Sequence, residues 1–414
     1  MKTKLFPTPS SSTSSSTSSS LNPSTSSSTS TSLNLPSNIS SEDVNMLSIN
    51  PLSDINTSEY NINTSLPNDI SSIIDFISTN NISASGNITL LSTSDLKKLQ
   101  KLNLSSIILT LKSSNINNEN AVNNENNENT VIIGLVLSIS LPISVNGTEQ
   151  KSFGYTTFLN INKNYRNKQI TSVLIKNLID VNYAKNIFHG YQITSFPLNK
   201  NSLKINIYYR PINLKNSLLA GFIYPGFNNI SEFNKHRIFY KSKSPDKFLI
   251  KQIKPSNLNL VHQCYTFYSH SIKNKDTQNK DTNQNNKKFT FSPDENFFRN
   301  WITLYDSYIV QNAKHEIVGI FSVGSLSCKT LLGNSINLAI PYLFSSTDSV
   351  TTLKCFLYIA EQKDYDVFYC HSIGDLSDTV LKTVSCIQAD RSCYFSLYNS
   401  DIQLSPSDLY IPLF

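Results

Sequence analysis

The sequence predicts an α/β protein built from two related halves, preceded by a disordered tail. Helix-like and strand-like apolar patterns alternate along the chain, and the order of these elements is similar in its two halves. The segment Ile132–Leu137 (IIGLVL) also resembles Ile317–Ser322 (IVGIFS) further along the chain. We therefore expect a tail over residues 1–45, an N-terminal half over 46–235 and a C-terminal half over 236–414.

The tail is predicted from its composition. Residues 8–32 are almost entirely Ser and Thr, and no charged residue occurs between Lys4 and Glu42. Such a stretch cannot bury enough apolar surface to offset the entropy lost on ordering. Two further polar tracts, 115–129 and 273–288, are interpreted as surface loops between elements.

Charge and composition exclude several classes of protein. The 414 residues contain 35 Lys and Arg against 29 Asp and Glu, a net charge of +6, which suits a pocket for an anionic ligand better than a nucleic-acid surface. No run of 18 apolar residues predicts a transmembrane helix. No apolar segment follows Lys2 and Lys4 as in a secretory signal, so a cytoplasmic location is expected.

The six cysteines, all in the C-terminal half, lack the paired spacing of zinc sites or redox motifs. They are interpreted as reduced thiols in the core, and no metal site is expected. No Ser–His–Asp relay is recognisable either, because the histidines are scattered along the chain.

In the first half, apolar spacing predicts helices at Ile70–Ile77, from Thr93 to Leu102 and over 169–183, the last carrying Ile170, Val173, Leu174, Leu178 and Val181 on one face. The β-rich runs are 107–112, 130–141, 155–161, 187–193 and 205–209. In the second half, a hairpin turn at 312–315 joins strands 308–310 and 316–323, followed by a helix over 350–360, a strand 366–369, a helix 375–385 and a strand 393–398.

The segment from Thr157 to Thr171 carries the clearest chemical signal. A strand ends, a polar basic turn follows, and a helix begins near Ile170. A helix N-terminus offers unpaired amide groups and the positive end of its dipole, and Arg166 and Lys168 add positive charge there. This combination favours a pyrophosphate site. The segment lacks the glycines of nucleotide-binding loops, and an ordinary solvated helix start is the alternative.

The same segment resembles the acyl-CoA loop of the N-myristoyltransferases. Phe158-Leu159, the basic turn with Arg166 and Lys168, and Val173–Lys176 match that family's pattern in order. The resemblance continues through Tyr209–Asn213, which is similar to the family's His-Arg-Pro-Leu-Asn. Further matches in the same order, from residue 69 to 414, are Val261–Gln263, Trp301, Val310–Asn312 with Glu316-Ile317, Asp366–Phe368 and Leu397–Asn399.

This resemblance implies two acetyltransferase-like (GNAT) halves that share a saddle-shaped mixed sheet. The N-terminal half would bind myristoyl-CoA as co-substrate, and the C-terminal half would bind peptides or nascent proteins that begin with glycine. The implied reaction is direct attack of the glycine amine on the thioester, without a further cofactor. A monomer without nucleic-acid partners is expected.

The resemblance also implies roles for individual residues. The backbone amides of Phe158 and Leu159 would form an oxyanion hole, Thr194 would assist, and the α-carboxylate of Phe414 would be the base. Tyr209 and Asp390 would contact the peptide. The residues implied in binding CoA are Phe158, Leu159, Asn160, Ile161, Arg166, Asn167, Lys168, Gln169, Ile170 and Thr171.

Several positions depart from the family pattern. Thr157 replaces an Asn before the Phe-Leu pair, Ile193 stands where the family has a Thr, and Ala389–Arg391 replaces a glycine-rich turn. A second hypothesis is therefore a degenerate homologue that binds acyl-CoA or peptide without turnover. A nucleic-acid-binding role for the Lys-rich loop 273–288 is weak, because that loop contains acidic residues and no aromatic residue for stacking.

Overall fold

The structure, a computed structural model, describes most of the chain from residue 60 onward. The described ranges are 60–66, 70–80, 88–90, 93–102, 104–111, 131–147, 151–166, 169–221, 229–277, 288–329, 333–400 and 402–412. The predicted tail over 1–45 and the loop 115–129 lie outside these ranges, as does most of the loop 273–288.

Helices and strands alternate through the described residues. The helices are α1 (Ser71–Asn80), α2 (Thr93–Gln100), α3 (Ile170–Ala184), α4 (Leu214–Leu219), α5 (Ile230–Tyr240), α6 (Leu258–Thr277), α7 (Glu295–Leu304), α8 (Ser349–Gln362) and α9 (Asp378–Thr383). The strands are β1 (Tyr60–Asn63), β2 (Ile88–Leu90), β3 (Leu104–Leu111), β4 (Ile132–Val145), β5 (Lys151–Ile161), β6 (His189–Thr194), β7 (Leu203–Pro211), β8 (Leu249–Gln252), β9 (Phe289–Phe291), β10 (Asp306–Gln311), β11 (Ile317–Lys329), β12 (Ser335–Ser346), β13 (Val367–His371), β14 (Ile387–Tyr398) and β15 (Leu409–Tyr410).

These strands form one large mixed sheet. Its order is β1-β3-β4-β5-β6-β14-β7-β13-β12-β11-β10-β8, with β2, β9 and β15 attached off this path. The pairs β5–β6 and β12–β13 are parallel, and each is connected through a helix, α3 or α8. Strands are exchanged between the halves: β14 of the second half lies between β6 and β7, and β7 of the first half lies between β14 and β13. The predicted α/β fold with two related halves is confirmed.

The two glycines of the repeated sequence occupy equivalent places in the halves. Gly134 lies on β4 beneath α3, where an added Cβ would be 3.0 Å from atoms of both Ile170 and Leu174. Gly319 lies on β11 beneath α8, where an added Cβ would be 2.9 Å from the Cβ of Thr352. Each glycine thus allows the helix of its own half to pack closely on the sheet.

The core consists of apolar side chains buried between the helices and the sheet. Three of the predicted helices bury the expected residues, including Ile73 of α1, Leu174 of α3 and Phe356 of α8, each with no exposed surface. All six cysteines are buried and free, which confirms the prediction of core thiols. Burial raises the pKa of Cys264, Cys355, Cys386 and Cys393 to about 12. Among the described residues no helix is both long and apolar enough to cross a membrane.

Helix α9 is shorter than the predicted range 375–385. The hydroxyl of Ser377 accepts a hydrogen bond from the amide of Val380, so the helix begins after this cap. At the other end Ser385 has a left-handed backbone, φ +60°, which stops the helix. Propensity and periodicity alone do not locate either boundary.

We predict that Gly319→Ala destabilises the protein, because the added methyl group would collide with Thr352. The expected loss is about 1–3 kcal/mol, the usual cost of overpacking a core. Thermal or denaturant unfolding measures it. Combining the change with Thr352→Ala should recover part of the loss, since the colliding side-chain atoms are removed; strictly additive losses would contradict the packing argument.

Candidate functional site

A β-bulge interrupts strand β5 at Phe158 and Leu159. Leu137 of β4 pairs with Thr157 and Leu135 pairs with Asn160, so two residues of β5 lie opposite one residue of β4. Phe158 has φ +48°, a left-handed conformation that is strained for an aromatic residue. The strain indicates that the surrounding structure holds the backbone of this bulge in place.

The bulge lies where β5 separates from β6. The last parallel pair is Thr156 with Gln192, whereas β6 continues to Thr194 in its pairing with β14. Phe158 and Leu159 therefore pair with no residue of β4 or β6. Two successive backbone amides at a gap between strands can donate hydrogen bonds to a carbonyl oxygen that enters the gap.

Two stacked tyrosines line the sheet just before the gap. The rings of Tyr155 and Tyr191 are 4.8 Å apart at 19°, with 3% and 0% of each residue exposed. Burial raises the pKa of Tyr191 well above its usual value, so its hydroxyl remains protonated. This buried hydroxyl has no hydrogen-bond partner among the described residues. No motif in the sequence pointed to either tyrosine.

The N-terminus of α3 follows the bulge and is open to an anion. Its N-cap residue, Gln169, has a left-handed backbone and makes no side-chain capping bond, and the first turn holds no acidic residue. Helices α4, α5, α7, α8 and α9 each have an Asn, Asp or Ser side chain on their N-terminal amides. The amide of Ser172 donates to the Gln169 carbonyl at 3.0 Å, so the amides of Ile170 and Thr171 are those available where the sequence predicted a phosphate site.

The basic turn before α3 is anchored on the end of α1. The amide of Lys163 donates to the side-chain oxygen of Asn80 at 3.3 Å, and Arg166 Nη2 donates to the Asn80 carbonyl at 3.3 Å. Asn80 is buried and also donates to the carbonyl of Phe76. It therefore positions the turn, a role that sequence reasoning missed because the two segments are far apart in the chain.

Three of the implied residues lie beside the bulge in different environments. Asn160 is buried, and its side-chain nitrogen has no hydrogen-bond partner among the described residues. Ile161 is half-buried and pairs with Gly134. Thr194 donates its hydroxyl to the carbonyl of Phe196 at 2.6 Å and so holds the following loop. At the adjacent position, Ile193 packs its apolar side chain against the core.

Tyr209 and Asp390 lie close enough for their charges to interact. The pairing of β14 with β7 shifts between Gln388 and Ser392, which extrudes residues 389–391 opposite Ile207. Burial raises the pKa of Tyr209, and the nearby charge of Asp390 raises it further. Asp390 is exposed at this extruded segment.

The second half repeats the gap without the anion site. The parallel pairing of β12 with β13 stops after Ala339 and Phe368, and the β11–β12 register shifts around Tyr342. However, the N-terminus of α8 is capped by Asp348, whose carboxylate accepts a hydrogen bond from the amide of Thr351 at 3.1 Å. At the start of α8 a carboxylate already occupies the place that a phosphate would take. Of the two helix starts, that of α3 is the one open to an anion.

Three of the implied residues, Asn167, Lys168 and Phe414, lie outside the described residues. Gln169, Ile170 and Thr171 form the helix start described above, with Ile170 buried and Thr171 exposed. Within the described ranges, no group of three metal-ligating side chains comes together.

Comparison with known proteins was made at the level of sequence and of structure. No sequence-family profile and no curated protein sequence gives a significant match. Crystal structures of Saccharomyces cerevisiae N-myristoyltransferase with bound myristoyl-CoA do match. One has a TM-score of 0.66 at 14% identity and covers 86% of this chain and 90% of its own. A second has a TM-score of 0.67 at 14% identity, with 90% and 88% covered.

A third structure of the yeast enzyme, with bound myristoyl-CoA and inhibitors, has a TM-score of 0.66 at 15% identity and covers 84% of this chain and 82% of its own. Because these matches cover 84% to 90% of this chain, they extend over both halves. The chain therefore has the fold of the N-myristoyltransferases.

Proposed function

We propose that the protein transfers a myristoyl group from myristoyl-CoA to the N-terminal glycine of peptides or nascent proteins. The observation that carries this proposal is the bulge at Phe158 and Leu159, placed at the gap between β5 and β6 and followed by the open N-terminus of α3. Acyl transfer needs amide donors at the carbonyl and an anion cradle for the CoA phosphates. The crystal structures with bound myristoyl-CoA share this fold.

In this mechanism the thioester carbonyl accepts hydrogen bonds from the two bulge amides. The amine of the glycine attacks the carbonyl carbon, a tetrahedral oxyanion forms, and the C–S bond breaks to release CoA thiol. The amine must first lose a proton, and we assign this step to the α-carboxylate of Phe414, as the resemblance implies. Tyr209 and Asp390 would receive the peptide on the side of the C-terminal half.

A second candidate function is binding of acyl-CoA or peptide without turnover. It is favoured by the side chains around the gap: Thr157 and Ile193 replace polar residues of the family pattern, and the hydroxyl of Thr194 is already committed to Phe196. Both tyrosines at the gap are buried, and the raised pKa of Tyr191 keeps its hydroxyl protonated.

The full chain with myristoyl-CoA and a glycine-initiated peptide tests the proposal. We expect release of CoA thiol and a peptide heavier by one myristoyl group, and neither product with a matched peptide that begins with alanine. Binding of myristoyl-CoA by calorimetry without any product would establish the second candidate instead. Absence of both binding and product would contradict both.

The bulge amides should respond to a ligand carbonyl. We expect the amide proton signals of Phe158 and Leu159, isolated by selective isotope labelling, to move downfield with a CoA thioether that carries a ketone at the thioester position. The matched alkyl thioether without the ketone provides the control and should leave them nearly unchanged. Equal shifts with both ligands would contradict an oxyanion-hole role for the amides of Phe158 and Leu159.

Arg166→Ala should weaken binding of CoA by about 1–3 kcal/mol, the range for a charge-assisted hydrogen bond. The loss should be absent for acylated pantetheine, which lacks the phosphates. Calorimetry with both ligands separates these effects, and Lys176→Ala, which lies further along α3, serves as the control. An equal loss for both ligands would indicate displacement of the turn from Asn80 rather than a lost phosphate contact.

Adding a few residues after Phe414 should lower turnover by roughly 10²-fold or more, the range for loss of a general base, because the carboxylate is moved away from the amine. Binding of myristoyl-CoA should persist. Steady-state kinetics and calorimetry on the extended chain measure the two effects, and full activity of the extended chain would refute the assignment.

A further inference from the structure

Helix α5 exposes large apolar side chains along its length. None of its eleven residues is buried, and Ile230, Ile238 and Phe239 are 79%, 70% and 59% exposed. Ile238 and Phe239 are neighbours at the C-terminal end of the helix, whereas Ile230 lies at its start, on the side opposite Phe239. The adjacent, exposed side chains of Ile238 and Phe239 form the apolar part of a candidate interaction surface.

The helix is held rigidly at its C-terminal end. The carbonyl of Tyr240 accepts a hydrogen bond from Nη2 of the buried Arg210 at 3.0 Å, and the amide of Ser242 donates to the Glu361 carboxylate at 2.6 Å. Since Arg210 lies on β7 and Glu361 on α8, the helix is fixed to both halves of the molecule. Ile238 and Phe239, which lie next to this end, are therefore presented in a defined orientation.

Positive charge surrounds these apolar side chains. Residues 229–251 contain six Lys and Arg but only two acidic residues. Lys241 and Lys243 follow Ile238 and Phe239 closely along the chain, just after the end of the helix. All six cationic side chains are exposed: Lys235, Arg237, Lys241, Lys243, Lys247 and Lys251.

We propose that α5 and the segment to Lys251 form a docking surface for a bilayer that contains anionic phospholipid. Apolar side chains among Lys and Arg are the combination that binds at the interface of such bilayers, where the side chains enter the headgroup boundary and the cations meet lipid phosphates. This surface is separate from the β5–β6 gap in sequence, and the proposal does not depend on the proposed acyl transfer.

Other occupants fit these observations less well. A second copy of the chain in a two-fold contact would bring the same cations together. The tail has no charged residue between Lys4 and Glu42, so it offers no complement to the positive charge. A single-stranded nucleic acid would need aromatic side chains for stacking. Of the three exposed large apolar side chains on α5, two are isoleucines.

Sedimentation of the full chain with vesicles, without acyl-CoA, tests the proposal. We expect binding to vesicles of phosphatidylcholine with phosphatidylserine, little binding to phosphatidylcholine alone, and a decrease at high salt. Phe239→Ser should weaken binding about tenfold or more, because it removes an aromatic side chain that enters the interface. Phe196→Ser is the matched control, since Phe196 is 60% exposed in the loop after β6.

The charge contribution is tested by reversal at two pairs of sites. Lys241→Glu with Lys243→Glu should abolish the preference for phosphatidylserine, whereas Lys97→Glu with Lys200→Glu, which changes the net charge equally, should preserve it. All four variants should melt close to the parent temperature because the altered side chains are exposed.

Three results would overturn the proposal. These are absence of binding to the anionic vesicles, an equal loss in the Phe196→Ser control, or a dimer of the parent chain that Phe239→Ser dissociates. The last result would assign the surface to a second copy of the protein.

Discussion

The separation of β5 from β6 is the constraint on which the candidate site depends. A parallel ladder that continued past Thr156 and Gln192 would pair the amides of the bulge within the sheet and leave no space for a ligand. Because the ladder stops, Phe158 can adopt a left-handed backbone at a cost of about 1–3 kcal/mol. The close fit of α3 over Gly134 and the anchoring of the turn on Asn80 hold the surrounding chain in place.

Because the two halves have the same architecture, the chemical difference between their helix starts can be compared directly. Both halves contain a hairpin, a crossover helix over a glycine, and a parallel pair that separates. The difference lies in a few residues at a helix start: Gln169 leaves the amides of α3 uncapped, whereas Asp348 closes those of α8. One fold unit can thus provide an anion site in one copy and a purely structural corner in the other.

Sequence patterns predicted those parts of the fold in which one face of an element is buried. The helices α1, α3 and α8 show a clear 3.6-residue period because each packs on the sheet. Helix α5 gave no signal, since none of its residues is buried and no periodic pattern was selected. Strand β12 was missed although its centre is buried, because Pro341 and the bulge at Tyr342 break its alternation.

The candidate site was predictable only where its parts are contiguous in the chain. The bulge, basic turn and helix start lie within 157–171, so one segment carries the signal. Asn80 and the pair Tyr155–Tyr191 reach the site through tertiary packing, which a single sequence does not encode in any local pattern. The register shift that extrudes Asp390 likewise depends on pairing with β7, a strand about 180 residues earlier in the chain.

The positions of the buried cysteines allow their reactivity to report partial unfolding of the protein. All six thiols lie between Cys264 and Cys393 and are buried, and burial keeps those of Cys264, Cys355, Cys370, Cys386 and Cys393 protonated. Since only a thiolate in contact with solvent reacts, the rate of alkylation measures how often the surrounding structure opens. Cys355, Cys370 and Cys386 lie in a core cluster that contains no residue from the strands before β7. Opening confined to those strands would leave these three thiols unlabelled, so their alkylation kinetics would distinguish loosening of one half from unfolding of the whole.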